Sequence, residues 1–196
     1  MYFNLNYIVI VFCFFLCLIK NMRNLKEPDT LILLSALSFT LLADYFLIFT
    51  LRHFIGIAFF CLVQFCYCRI LHHSLIPMIE NGLLGCFFLW MAGIIFTLPL
   101  DTISLIAAFY FTCLLTNIVF AWRSGNKWFA AAITLMLLCD INVAVSNISS
   151  YFRIPLHTPL SVWHNLAPTA VWIFYVPSQF IIACQKSHDP SFDYLK

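Results

Sequence analysis

Charge is what this sequence has least of. Only 9% of its 196 residues are Asp, Glu, Lys or Arg, against about a quarter in an ordinary water-soluble domain. That shortage excludes a conventional soluble fold. A net charge of +2 is too small to make nucleic acid a partner. No CxxC pair occurs among the nine Cys; Cys66 and Cys68 form only a C-x-C. All nine lie in apolar runs, where Cys behaves as a small hydrophobe, so neither a disulfide framework nor a thiolate metal site is expected. None of the six His sits in an HExxH spacing. No Lys or Arg precedes the first apolar run and no small-residue cleavage site follows it, so it does not read as a signal peptide. No soluble module, low-complexity tract or internal repeat is visible.

What is present is apolar residues in long runs. They make up 63% of the chain, with 22 Phe, more than the core of so small a domain can hide. The runs cover about 5–19, 30–50, 54–71, 81–98, 103–121, 128–148 and 162–184. Each approaches the roughly 20 residues needed to cross a bilayer. They are apolar all round rather than alternating over about ten residues, which excludes barrel strands. In lipid every backbone N–H needs an internal partner, so such runs become helices. The expected fold is therefore all-α: one polytopic transmembrane bundle of about seven spans, in a plasma membrane if bacterial or the endoplasmic reticulum if eukaryotic.

Seven alternating spans place Lys20, Arg23, Lys26, Arg69, Arg123, Lys127, Lys186 and Lys196 on one side, and Arg52 and Arg153 on the other. Basic residues favour the cytoplasmic side, which puts the N-terminus outside and the C-terminus in the cytoplasm.

Of eight acidic residues, Glu27, Asp29, Glu80, Asp101, Asp189 and Asp193 fall in loops, tails or at helix ends. Asp44, in LLADYFL, and Asp140, in LLCDINV, fall deep inside the second and sixth runs. An Asp at the centre of a membrane helix costs about 2.5–3.5 kcal/mol on insertion scales. No Lys or Arg accompanies them there. Both helices run in one direction, which sets the two carboxyls at similar depth, able to share a cavity. Asn in their place would link helices at lower insertion cost, so a functional role is favoured.

Other polar residues lie near that depth. Gln64 and Tyr67 are one turn apart on the third helix, and Tyr175 and Gln179 on the seventh. Asn147 follows Asp140 at i+7. Pro177 bends the seventh helix and frees a backbone carbonyl. Buried Gln, Asn and Tyr commonly do no more than bond neighbouring helices, at about 0.6 kcal/mol each. Two carboxyls sharing a site are used either as an acid and a base, as in glycosidases and aspartic proteases, or as relays for protons and cations. Pattern alone does not choose between them.

Short motifs in order along the chain carry a resemblance. Ser38 to Leu47, with Asp44, matches an S-x-x-G-D-x-x-L stretch in its Asp and Leu. Gln64 and Tyr67 match an H-x-x-Y. Trp122-Arg123 matches an aromatic W-R helix end. Cys139-Asp140 to Ala144 matches S-D-x-x-x-A, and Tyr175 to Gln179 matches Y-Y-x-A-Q loosely. The chain thus resembles the lysoplasmalogenase (YhhN-like) family of integral membrane enzymes. It departs from the pattern at Ala43 (Gly), Gln64 (His), Cys139 (Ser) and Ser146 (Asn, with Asn147 adjacent), and has seven expected spans where the family commonly has eight.

The resemblance implies hydrolysis of the vinyl ether bond of a lysophospholipid substrate, without metal or other cofactor. Asp44 and Asp140 would be catalytic; Gln64, Tyr67, Asn147, Tyr175 and Gln179 would bind or orient the substrate or water. Two other classes compete: a small proton-coupled transporter relaying through the two Asp, and a non-catalytic membrane partner or sensor. Small size and the lack of inverted repeats weigh against the transporter.

Overall fold

Residues that start or stop helices bracket each long apolar run. Pro28 and Pro159 open their helices at the first position, where a missing N–H costs nothing. Ser74, Asp101, Asn126 and Thr158 accept backbone N–H groups of the first turn that follows each of them. Gly125, at φ +80°, ends the fifth helix in the left-handed conformation that costs glycine nothing.

The computed structural model describes residues 5–97, 100–150, 155 and 157–185, among which the chain forms seven α-helices and no strand. They are α1 (Leu5–Lys20), α2 (Pro28–Ile48), α3 (His53–Ile70), α4 (Leu75–Phe96), α5 (Thr102–Ser124), α6 (Lys127–Asn147) and α7 (Pro159–Ala183). Six of these are long and apolar enough to cross a membrane; α1, at 16 residues, is shorter. The molecule is an integral, multi-pass helical bundle. Of the charged residues expected in loops or tails, Arg153, Lys186, Asp189, Asp193 and Lys196 lie outside the described residues, as does His188.

The expected spans coincide with these helices except in α4. That helix begins at Leu75, not near residue 81, because Ser74 caps it and Pro77 falls within its first turn, where no N–H is needed. Glu80, expected at a helix end, therefore lies in the second turn of α4, exposed.

Which helices touch which defines the architecture. α1 packs on α2, α2 on α3, α3 on α5, α5 on α6, α6 on α7, and α7 back on α1. Six helices thus close a ring. α4 stands outside it, packed mainly on α5. Its close approach depends on Gly82: a Cβ there would lie 2.6 Å from the ring of Phe109. The ring interior holds the core, with Leu37, Val63, Leu114, Phe129, Ile133, Met136 and Ile182 at 3% exposure or less. Outward face Phe12, Phe15, Phe87, Phe88 and Trp90, each exposed. In water such a surface would be an aggregation hazard; in hydrocarbon it is the solvated face.

Side-chain contacts fix the two ends. At one end Lys20 Nζ donates to the Cys184 carbonyl, and His72 lies 3.8 Å from Asp29. There the α1–α2, α3–α4 and α5–α6 connections gather Lys20, Arg23, Lys26, Arg69, Arg123 and Lys127. Trp122 and Trp128 are exposed beside them, as aromatic residues are at a membrane interface. At the opposite end Tyr7 packs edge-on against Phe49, and Trp163 Nε1 donates to Asn142 Oδ1 at 3.0 Å. Arg52 lies at this end.

Candidate functional site

Both deep carboxyls enter the ring interior, and each meets a tyrosine from another helix. Asp44 stands four residues before the end of α2, where its Oδ2 accepts the Tyr175 hydroxyl of α7 at 2.8 Å. Asp140 stands seven residues before the end of α6, where its Oδ2 accepts the Tyr110 hydroxyl of α5 at 2.7 Å. Asp44 is buried, whereas Asp140 keeps part of its surface open. In each pair the hydroxyl occupies one carboxyl oxygen and leaves the other available.

The two pairs belong to one site. Cys139 lies within electrostatic range of both Asp44 and Asp140. It packs in one apolar cluster with Tyr175 and Ile10, bordered by Phe60 and Trp172. Tyr67, fully buried on α3, is within range of both Tyr110 and Tyr175. Trp172 and Phe60 brace the tyrosine rings, at centroid distances of 5.9 Å to Tyr175 and 5.8 Å to Tyr110. Every Lys and Arg among the described residues is exposed, so the site contains no cation from them. Nor do the described residues include a group of three or more His, Cys, Asp or Glu placed to hold a metal.

Neutral amides stand one turn from the two tyrosines: Gln64 one turn before Tyr67 on α3, and Gln179 one turn after Tyr175 on α7. Gln64 and Asn117 are fully buried and joined: Asn117 Nδ2 donates to the Gln64 backbone carbonyl at 2.8 Å and to its Oε1 at 3.0 Å. Gln179 is fully buried on α7. Pro177, two residues before it, has no N–H, which leaves the Ile173 carbonyl without its helical partner.

Of the residues singled out from sequence, the structure therefore brings Asp44, Asp140, Tyr67 and Tyr175 into one site, with Gln64 and Gln179 one turn away. It does not bring Asn147 there. That side chain is exposed at the end of α6 and donates to the Val143 carbonyl of its own helix at 2.8 Å. Sequence reasoning missed Tyr110, Asn117 and Cys139. Tyr110 sits between two Phe in an apolar run and carries no signal of its own. Asn117 did offer one, a polar amide four residues before the end of the apolar run over 103–121.

Comparison with known proteins gives one result of substance: the model of the YhhN family matches residues 4–185, nearly the whole chain. Neither the curated proteins nor the solved structures give a match.

Proposed function

The chain belongs to the YhhN family, and from that membership and its enclosed carboxyls we propose that it is a membrane-embedded hydrolase. Its substrate would be a lysoplasmalogen, cleaved at the vinyl ether to a fatty aldehyde and a glycerophospho-base. The observation that carries this reading is the pairing of Asp44 with Tyr175 and of Asp140 with Tyr110 inside one ring of apolar helices.

A vinyl ether is cleaved by protonating its β-carbon. One carboxylic acid delivers that proton from the oxygen its tyrosine leaves free. The resulting oxocarbenium ion needs a negative neighbour, which the second carboxylate supplies in a site that has no competing water-exposed charge. Water adds to the carbon bearing the ether oxygen, and the second carboxylate takes its proton. The hemiacetal then collapses: the second carboxyl gives its proton to the departing glycerol oxygen, the first takes the proton of the hemiacetal hydroxyl, and the aldehyde is left with both carboxyls in their starting states. One water is consumed and no electron changes hands. Each tyrosine holds its carboxyl in a fixed rotamer, and the closed apolar wall shields the cation from bulk water. A site within the bilayer also suits a substrate with one long chain. The basic end of the bundle is read as cytoplasmic.

The decisive experiment measures aldehyde release from a lysoplasmalogen by purified protein, beside the Asp44→Asn and Asp140→Asn variants. The parent is expected to be active, and each variant to lose on the order of 10²–10⁴-fold in rate. Full activity in either variant would end the two-carboxyl mechanism.

A further inference from the structure

Ile10, Cys13, Cys17 and Lys20 follow one another along α1 at the three- and four-residue steps that put side chains on one helix face. That face meets α7, and contacts toward both ends of it set the register. Ile10 packs with Tyr175 in one buried cluster, and Lys20 Nζ donates to the carbonyl of Cys184, the residue that ends α7. The two helices therefore run in step, with Ile10 beside Tyr175 and Lys20 beside Cys184. Cys17 precedes Lys20 by three residues, about 4.5 Å along the axis, which sets it one turn from the level of Cys184. The two thiols lie within electrostatic range of each other. Cys13, a turn further up α1, is within range of Cys184 as well.

The two thiols differ in access. Cys17 is fully buried, and its Sγ accepts the Asn21 amide at 3.5 Å. Cys184 is half-buried at the end of its helix, and both are free thiols. They stand at the basic end of the bundle, read as cytoplasmic. Disulfides in that compartment are transient, and serve catalysis or redox sensing rather than structure. Cys61, Cys86 and Cys113 also neighbour one another, but at the middle of α3, α4 and α5, where a polar oxidant meets hydrocarbon.

We propose that Cys17 and Cys184 form a redox-responsive pair, which a peroxide arriving at the basic end joins in a disulfide that ties α1 to α7. The half-buried Cys184 reacts first. Its sulfur attacks a peroxide oxygen, the O–O bond breaks, and the departing hydroxide takes up the thiol proton as water, leaving a sulfenic acid. The Cys17 sulfur then attacks that sulfur. The S–S bond forms, the S–O bond breaks, and the second hydroxide leaves as water with the Cys17 proton. Two thiols lose two electrons and one peroxide gains them. A small thiol reductant reverses the step through a mixed disulfide. The tie bears on the carboxyl site, because the same face of α1 carries Ile10, which packs with the tyrosine that holds Asp44.

The test treats the reduced full chain in detergent with stoichiometric hydrogen peroxide, digests it without reductant and maps linked peptides by mass spectrometry. The parent is expected to yield a Cys17–Cys184 link that dithiothreitol removes. Cys17→Ala should leave Cys184 as a sulfenic acid that dimedone traps. Cys184→Ala should yield neither a linked peptide nor a trapped acid at Cys17. The thermal midpoint of the oxidised parent should exceed that of the reduced parent, since closing so long a loop restricts the unfolded chain. Peroxide should bring no such rise in Cys17→Ala. A link from Cys184 to Cys13 or to a second copy of the chain would overturn the proposal. So would unlinked Cys184 oxidised beyond the sulfenic acid in the parent, or a Cys17–Cys184 link that leaves the midpoint unmoved. None of these readouts uses lipid hydrolysis, so the pair stands or falls apart from the hydrolase reading.

Discussion

Tyr175 reaches Asp44 across the interior of the ring, not along its wall. Their helices, α7 and α2, are separated by α1 on the perimeter, yet hydroxyl and carboxyl meet at 2.8 Å. The other pair, Tyr110 and Asp140, joins the neighbouring helices α5 and α6. One bond therefore spans the site and the other lines its side.

The two tyrosines are expected to differ when their hydroxyls are removed. In Tyr175→Phe the buried Asp44 loses its donor, and the opposed helices lose their link across the site. In Tyr110→Phe the carboxyl left without its donor is Asp140, which keeps part of its surface open. Single-turnover rates should fall on the order of 10-fold in Tyr175→Phe, consistent with a charge-assisted bond of about 1.5–3 kcal/mol. They should fall less in Tyr110→Phe. KM should move little in either.

Packing of α4 gives a prediction of the opposite kind. Gly82 admits the Phe109 ring so closely that a larger side chain must displace it. Gly82→Leu should lower stability by about 1–3 kcal/mol, the usual cost of overpacking. Denaturant unfolding in detergent checks this. Since α4 stands outside the ring, the rate per folded molecule should stay near that of the parent.

At the basic end, His73 stacks on Phe120 at a centroid distance of 4.0 Å. Burial holds its pKa below the ordinary histidine value, and the charges of Arg123 and His72 push it the same way. The folded state therefore resists a proton that the unfolded chain accepts. The stability due to neutral His73 is present above the unfolded pKa of about 6.5 and is lost as pH falls below it. Thermal midpoints should decline from pH 7.5 to pH 5.5, and His73→Gln should flatten that decline.

Orientation is tested by labelling. Arg52→Cys and Arg123→Cys place reporters at opposite ends of the bundle. A membrane-impermeant maleimide applied to intact cells should label position 52 and spare position 123. Labelling of both from one side would refute the alternating topology.

The parts of the site legible in sequence were those that are costly in lipid. Asp44 and Asp140 stand out because a carboxyl in an apolar run needs a reason. Tyr110 does not, because a phenol between two Phe pays little to be buried, and its value lies wholly in its tertiary partner. Asn147 illustrates the limit of periodicity: i+7 puts it on the face of Asp140 but about 10 Å further along the axis. There it bonds its own helix.

The fold shows the same division. Run lengths and breakers located the helices, while the early start of α4 depended on Ser74 and Pro77, which hydropathy ignores. The ring order was not legible at all. The apolarity of α3, α4 and α5 does not say that α4 steps outside and lets α3 meet α5. That choice is made by small residues such as Gly82 and by which face each helix offers to the interior.

The order of the ring also constrains how the protein is made. Among the described helices α1 is made before the others, and one of its two neighbours, α7, after them. Until α7 emerges, the flank of α1 that will meet it faces lipid or an insertion factor. Asp44, too, waits for the tyrosine that will hold it. The nascent chain thus carries an unpartnered carboxyl within the bilayer through the insertion of four further helices. A chain cut short before α7 is expected to be recognised as unfinished by the quality-control machinery of its membrane.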